Sequence, residues 1–272
     1  MKKSLKYRQI VPDARRVVVK IGSRVLVQKT GRPDMRSMRN LARQLAAILR
    51  DGHEVAVVTS GAIGSGMEAL GMKERPESLP DLQMAAAVGQ GRLMARYDKL
   101  FSALGCKVGQ VLLTHADFHH KIRLTNARRT LETLIRHRVI PLINENDVVA
   151  DEEIKADLAL GDNDLLASLV VKLIRADILI ILSTVDGVRE PGAKGSTRRI
   201  RYIETITPKT FSLVHASDAR LAKGGMASKL RAAQSVAQTG CSVVIANGRQ
   251  AGVLRRVMHG DDVGTMILAS PI

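Results

Sequence analysis

At 272 residues, 45% of them apolar, the chain is long enough to bury one large α/β core or two small ones. A formal net charge of +16, from 42 basic and 26 acidic residues, favours anionic partners such as nucleotides, carboxylates or nucleic acid. Aromatic residues at 2% and the lack of Trp leave little to stack bases on, and the arginine pairs at 15–16, 128–129, 198–199 and 255–256 are dispersed, so nucleic acid is disfavoured as a partner. Cys106 and Cys241 supply neither a metal-ligand spacing nor a disulfide framework and are expected to be buried free thiols. The longest apolar region, "LLASLVVKLIRADILIIL", is broken by Lys172, Arg175 and Asp177, and no apolar stretch follows the basic start. Neither a membrane span nor a signal peptide is expected, and the expected location is the cytoplasm.

In chain order, "RVVVKIG" (16–22) is a strand and "MRNLARQLAAILRDG" (38–52) a helix with a glycine stop. "EVAVVTS" (54–60) is a strand that runs into the glycine-rich turn "TSGAIGSG" (59–66). A long helix with a glycine-weakened middle covers 79–105, and "KVGQVLLT" (107–114) is a strand. Residues 125–138 form a helix with Thr125 as its N-cap. "VIPLINEND" (139–147) is a strand ending in a polar turn. A helix over 162–176 opens on acids and leads into the buried strand "DILIILS" (177–183). Residues 187–205 break the rhythm as a surface excursion or hairpin. A helix over 224–240, the strand "SVVIANG" (242–248), a short helix and "GTMIL" complete the chain. This alternation predicts an α/β fold, a three-layer αβα sandwich with a mostly parallel central sheet. With no linker, it forms one domain, with an N-lobe over about 16–160 and a C-lobe over about 161–268.

In such sheets ligands bind outside the carboxyl ends of the strands. Five polar turns fall there: "KIGS" (20–23), "TSGAIG" (59–64), "NEND" (144–147), "GDND" (161–164) and "STVDG" (183–187). Neither glycine-rich stretch fits a Walker A loop or a dinucleotide fingerprint. His115, His119 and His120 invite a metal reading, but no further ligands join them, so a solvent-facing loop is preferred and no resident metal is expected. The remaining chemistry is cationic. Lys20 ends an apolar strand, and Lys229 opens a helix after the Gly224-Gly225 pair. Two ammoniums meeting at one edge suit a transferring phosphoryl group, and Asp162 at a helix start is placed to orient both. Each also has a plainer reading: a strand-end lysine with its stem buried, an exposed helix lysine, an N-cap.

The ordered set "VVVKIGS", "VVTSGAIGSG", "AAVGQGRLM", "VGQVLLT", "LINEND", "GDND" and "GGMASKL" resembles the amino acid kinase family, in its branch acting on the side-chain carboxylate of glutamate. The likeness runs from about Arg16 to Leu268 and implies the same αβα sandwich. It implies transfer of the ATP γ-phosphoryl to L-glutamate, giving L-glutamate 5-phosphate for proline synthesis, with Mg2+ arriving on the nucleotide. By position it implies catalytic roles for Lys20, Asp162 and Lys229. Ser60, Gly61, Asp147 and Asn163 would hold glutamate, with Asp147 on its ammonium. Lys20, Gly22, Ser183, Thr184, Gly224, Gly225 and Lys229 would hold the nucleotide. Ser183-Thr184 stands where the family commonly has Thr-Asp, and the segment between "NEND" and "GDND" is longer than the family's. The C-terminal RNA-modification-type (PUA) domain of many members is not expected here. The resemblance further implies a homo-oligomer, proline as feedback inhibitor and glutamate-5-phosphate reductase as successor. The readings that compete with it are the same fold with another acceptor (N-acetylglutamate, aspartate, a nucleoside monophosphate or carbamate) and a non-catalytic RNA-binding or regulatory protein.

Overall fold

Val17, Val18 and Val19 are wholly buried, so β1 (Arg16–Ile21) is covered on both faces, which is why it reads as an unbroken apolar run. The structure, a computed structural model, describes residues 7–28, 32–149, 163–192, 196–215 and 225–270. The other strands in chain order are β2 (Glu54–Val58), β3 (Lys107–Leu113), β4 (Val139–Glu145), β5 (Ile178–Ser183), β6 (Arg189–Pro191), β7 (Thr197–Arg199), β8 (Tyr202–Ile203), β9 (Ser242–Asn247) and β10 (Thr265–Ile267). Eight of the described strands make one sheet in the order β3-β4-β2-β1-β5-β9-β10-β8, and β6 and β7 form a separate antiparallel hairpin. Every pairing in the large sheet is parallel except β9 with β10.

Alternate residues of β1 face different helical layers. Val17, Val19 and Ile21 join the core under the helices Met35–Arg50, Leu79–Ser102 and Val253–Met258. Val18 joins the core under Lys121–Arg136, Asn163–Ile174 and Met226–Ala237, and the period of two puts Lys20 on that same side. The expected αβα sandwich with a mostly parallel sheet is therefore what forms. The chain order reverses at β1, which has β2 on one side and β5 on the other, so the crevice beyond its carboxyl end is the fold's switch point.

Some local expectations are corrected. The helix expected from Thr125 starts at Lys121, with His120 as its N-cap, and Thr125 donates its hydroxyl back to the Lys121 carbonyl at 2.8 Å from inside the first turns. The glycines of the long helix do not break it. Gly89 admits a crossing: a Cβ there would lie 1.9 Å from the Ala62 carbonyl oxygen, and one at Gly66 would lie 1.8 Å from that of Ala85. The irregular 187–205 stretch contains the β6–β7 hairpin and then β8, which pairs with β10. Arg8, 2% exposed, ties the start of the described chain to this end of the sheet through the carbonyls of Asp261, Val263, Gly264 and Arg201.

Candidate active site

Lys20, the last-but-one residue of β1, is 4% exposed, and its Nζ lies 2.6 Å from Asp164 Oδ1. Lys229, also 4% exposed, donates from Nζ to Asp164 Oδ2 at 2.9 Å. One fully buried carboxylate thus bridges two buried ammoniums. Burial alone would push the Asp164 carboxyl up, but the charges of Lys20 and Lys229 override it and hold it below the ordinary carboxylate value. The local helices explain the placement. Asp164 occupies the first turn of Asn163–Ile174, where the helix dipole favours an anion. Lys229 sits in the first turn of Met226–Ala237, where the dipole disfavours a cation, so its tie to Asp164 offsets that cost. The three groups carry a net single positive charge at the switch-point crevice, which suits an incoming phosphate.

Asp162, expected between the lysines, lies outside the described residues. The acid found between them is Asp164, two positions on. Both carboxylates flank Asn163 in "GDND", and composition does not say which of them meets the lysines. Gly22 donates its backbone N–H to the Leu182 carbonyl at 3.0 Å, and a Cβ there would come within 3.1 Å of that oxygen and 4.0 Å of Lys20 Nζ, so glycine keeps the approach to the ammonium clear. Ser183 and Thr184, half-buried, follow the next strand, and the Ser183 carbonyl accepts from Gly248 N–H at 2.8 Å. Gly225 is the N-cap of Met226–Ala237 in extended conformation, with no side chain to occupy the helix N-terminus. Gly224 lies outside the described residues.

The substrate-side expectations gather on the other flank of β1. Asn163 Nδ2 donates to the Thr59 carbonyl at 2.6 Å, to Ser60 Oγ at 2.9 Å and to Asn144 Oδ1 at 3.0 Å. Asn144 Nδ2 donates to Gln90 Oε1 at 2.9 Å. Gly61 has φ of +108°, a left-handed conformation that turns the chain from β2 into the helix Ala62–Ala69. Thr59 Oγ1 lies 2.7 Å from the hydroxyl of Tyr97, whose complete burial raises its pKa to about 12. Asp147, half-buried, follows β4 in the turn that Asn146 anchors to the Leu113 carbonyl at 3.0 Å. Sequence reasoning gave no role to Asn144 or Gln90. Both lay within motifs quoted above, "LINEND" and "AAVGQGRLM", but neither was assigned a contact there.

The histidines are apart from this centre. His115 Nε2 lies 3.0 Å from His119 Nε2, one turn on in the short helix His115–His119. Among the described residues no cluster of three or more His, Cys, Asp or Glu is placed to hold a metal ion.

The model of the amino acid kinase family matches residues 15–247. The glutamate 5-kinase of Moorella thermoacetica is 43% identical over 96% of this chain and 68% of its own length. That of Clostridium tetani is 40% identical over 95% of this chain and 96% of its own. Among solved structures, carbamate kinase from Giardia lamblia aligns with a TM-score of 0.63 at 16% identity, over 94% of this chain and 99% of that one. UMP kinase from Bacillus anthracis aligns with a TM-score of 0.59 at 16% identity, over 95% and 97%. These two share the fold. The chain belongs to the amino acid kinase family, in its glutamate 5-kinase group.

Proposed function

We propose that this chain transfers the γ-phosphoryl group of ATP to the side-chain carboxylate of L-glutamate, forming L-glutamate 5-phosphate, the first step towards proline. The observation that supports it most is the bridge of Lys20 and Lys229 through Asp164, next in sequence to Asn163, which meets the turn at Ser60. A migrating phosphoryl group spreads charge over its equatorial oxygens, and two preorganised ammoniums stabilise that charge without reorganisation. The acceptor is already ionised at neutral pH, so no general base is required. Positioning and charge neutralisation carry the reaction, and no covalent enzyme intermediate forms.

In this reading Asp164 keeps both ammoniums aimed, and Gly22 and Gly225 let the phosphates approach backbone. Ser183 and Thr184 lie towards the nucleoside. Ser60, Gly61, Asp147 and Asn163 hold glutamate, Asp147 facing its ammonium. Residues of about 16–160 serve the amino acid and those of about 161–268 the nucleotide. Magnesium enters as part of the substrate MgATP, held mostly by phosphate oxygens and water. The reading also carries a cytoplasmic location, a homo-oligomer, proline as an end-product inhibitor, and a reductase that consumes the labile acyl phosphate. No helix among the described residues is long and apolar enough to cross a membrane.

The test is trapping of the acyl phosphate. With glutamate, MgATP and hydroxylamine, the wild type should form the γ-hydroxamate, and Lys20→Ala should reduce the rate by several powers of ten, by analogy with charge-stabilising groups in phosphoryl transfer. A wild type no faster than Lys20→Ala would refute the proposal.

A further inference from the structure

Three side-chain amides run in series beneath the Ser60–Gly61 turn, and one backbone carbonyl fixes the orientation of all three. The Thr59 carbonyl can only accept, so the Asn163 group facing it at 2.6 Å is the NH2. The same nitrogen faces Asn144 at 3.0 Å, so Asn144 presents Oδ1 there and turns its own NH2 towards Gln90. Gln90 meets that NH2 with Oε1 at 2.9 Å, and its Nε2 becomes the outer end of the series. Flipping any one amide would set donor against donor or acceptor against acceptor along the whole line.

The two ends are therefore of opposite polarity. Gln90 Nε2, a donor, and Asn163 Oδ1, an acceptor, are both buried and without a hydrogen-bond partner among the described residues. Buried polar atoms are nearly always satisfied, so each such end in a native site calls for an occupant. The backbone that carries Gln90 is held close to the turn. The preceding residue, Gly89, packs against the Ala62 carbonyl and the Gly66 nitrogen, which clamps this stretch of helix onto the turn bearing Ser60 and Gly61.

We propose that Gln90 is a specificity-determining residue of the amino-acid site: its Nε2 donates to the α-carboxylate of the acceptor, while Asn163 Oδ1 takes a hydrogen from the acceptor's ammonium. This rests on the function proposed above. The donor at one end and the acceptor at the other have the polarities that an α-carboxylate and an α-ammonium require. An acceptor without an α-carboxylate leaves the Gln90 donor desolvated and unpaired. Sites built to hydrogen-bond a substrate group reject analogues lacking it far more strongly than apolar pockets do.

The experiment compares L-glutamate with 4-aminobutyrate, which is glutamate without its α-carboxylate, in wild type, Gln90→Glu and Gln90→Met. Gln90→Glu keeps an oxygen for Asn144 and replaces the donor by an acceptor; Gln90→Met removes both. In the wild type, KM for 4-aminobutyrate is expected to exceed that for L-glutamate at least 30-fold. Both variants should raise KM for L-glutamate at least tenfold and shrink the kcat/KM preference over 4-aminobutyrate at least tenfold, with KM for ATP within twofold of wild type. A fall in activity on both acceptors with the preference intact would show Gln90 to be structural and overturn the inference. Should neither variant fold, the wild-type comparison decides: equal KM values for the two acceptors overturn it. A wild type that phosphorylates neither compound would instead overturn the proposed function.

Discussion

Lys20 and Lys229, brought together from the first strand and from a helix near the far end of the chain, close on opposite oxygens of the Asp164 carboxylate, at 2.6 and 2.9 Å. Each lysine would be a costly buried cation alone. The shared anion makes the pair tolerable and fixes the gap between the two ammoniums, and that gap is what a transferring phosphoryl group would meet.

Asp164→Asn keeps the shape and removes the charge. It should lower kcat for hydroxamate formation by roughly 10²–10³, the usual effect of losing preorganised charge stabilisation. It should also destabilise the fold by about 3–5 kcal/mol, because each of two buried ammoniums loses an anionic partner. The pH dependence follows from the depressed carboxyl. Because the folded-state pKa of Asp164 lies below its unfolded value, its contribution is present above about pH 3.9 and is lost as pH falls through the lower folded value. Urea midpoints of wild type and Asp164→Asn should therefore differ at pH 7 and converge in strong acid. A constant difference down to pH 2 would contradict the assigned charge state.

Lys20 was legible because a lone cation closing "VVVK" falls at a strand end, and Gly22 because a glycine directly after such a strand marks a close approach, here 3.1 Å from an added Cβ to the Leu182 carbonyl oxygen. The αβα layering was legible for a similar reason: strands covered on both faces lose their alternation and read as apolar runs. The choice between Asp162 and Asp164 was not legible. It depends on the placement of Asp164 in the first turn of the helix Asn163–Ile174, which the motif "GDND" does not reveal. Gln90 was hidden for a different reason. Its contact with Asn144 is tertiary, made across the sheet edge by a helix whose neighbouring Gly89 packs against Ala62. The start at Lys121 was hidden because His120, not Thr125, meets the first orphan N–H groups, accepting from Arg123 N–H at 3.4 Å.

The glycines around the substrate-side turn separate by what limits them. At Gly61 nothing lies within 4 Å of an added Cβ, and only φ of +108° resists substitution, so Gly61→Ala should cost about 1–2 kcal/mol from backbone strain. At Gly89 the added Cβ would lie 1.9 Å from the Ala62 carbonyl oxygen, so the helices must part. Gly89→Ala should cost about 3 kcal/mol or more, the upper range for overpacking, and should raise KM for glutamate because Ala62 directly follows the Ser60–Gly61 turn. Urea unfolding ranks the two variants; equal costs would contradict the close crossing.

His115 and His119 face each other through their Nε2 atoms at 3.0 Å, so one must donate and the other accept, and both cannot be protonated comfortably. Burial first, and the charge of His119 second, hold the His115 pKa below its ordinary value. A histidine with a depressed folded-state pKa costs nothing when neutral in both states. Stability therefore falls as pH drops below the unfolded value of about 6.5 and is lost through the lower folded value. The wild-type Tm should fall between pH 7.5 and 5, and His119→Gln, which keeps polarity without the second positive charge, should lessen that fall. An unchanged slope in the variant would place the acid sensitivity elsewhere.

Arg8 makes the last prediction, and it concerns the sheet edge rather than the chemistry. Its guanidinium donates to four backbone carbonyls, of Arg201, Asp261, Val263 and Gly264, at 2.8 to 3.1 Å, and lies 3.6 Å from the Asp262 carboxylate. Burial lowers its pKa, and Asp262 opposes that shift. Those carbonyls lie beside β8 and β10, a short pair at one side of the sheet far from Lys20 in strand order. Arg8→Met preserves much of the apolar stem and strips every donor; the carbonyls of Arg201, Asp261 and Gly264 keep Met266 N–H, Val263 N–H and the Arg199 guanidinium, whereas among the described residues the Val263 carbonyl is left without one, at about 1–3 kcal/mol. The expected result is a loss of about 1–3 kcal/mol in global stability, with hydrogen exchange rising first at residues 201–203 and 264–267. Because the reacting groups sit several strands away, kcat measured well below the Tm should stay within twofold of wild type. A variant that is fully stable, or one whose exchange rises first around Lys20, would show that Arg8 does not hold this edge.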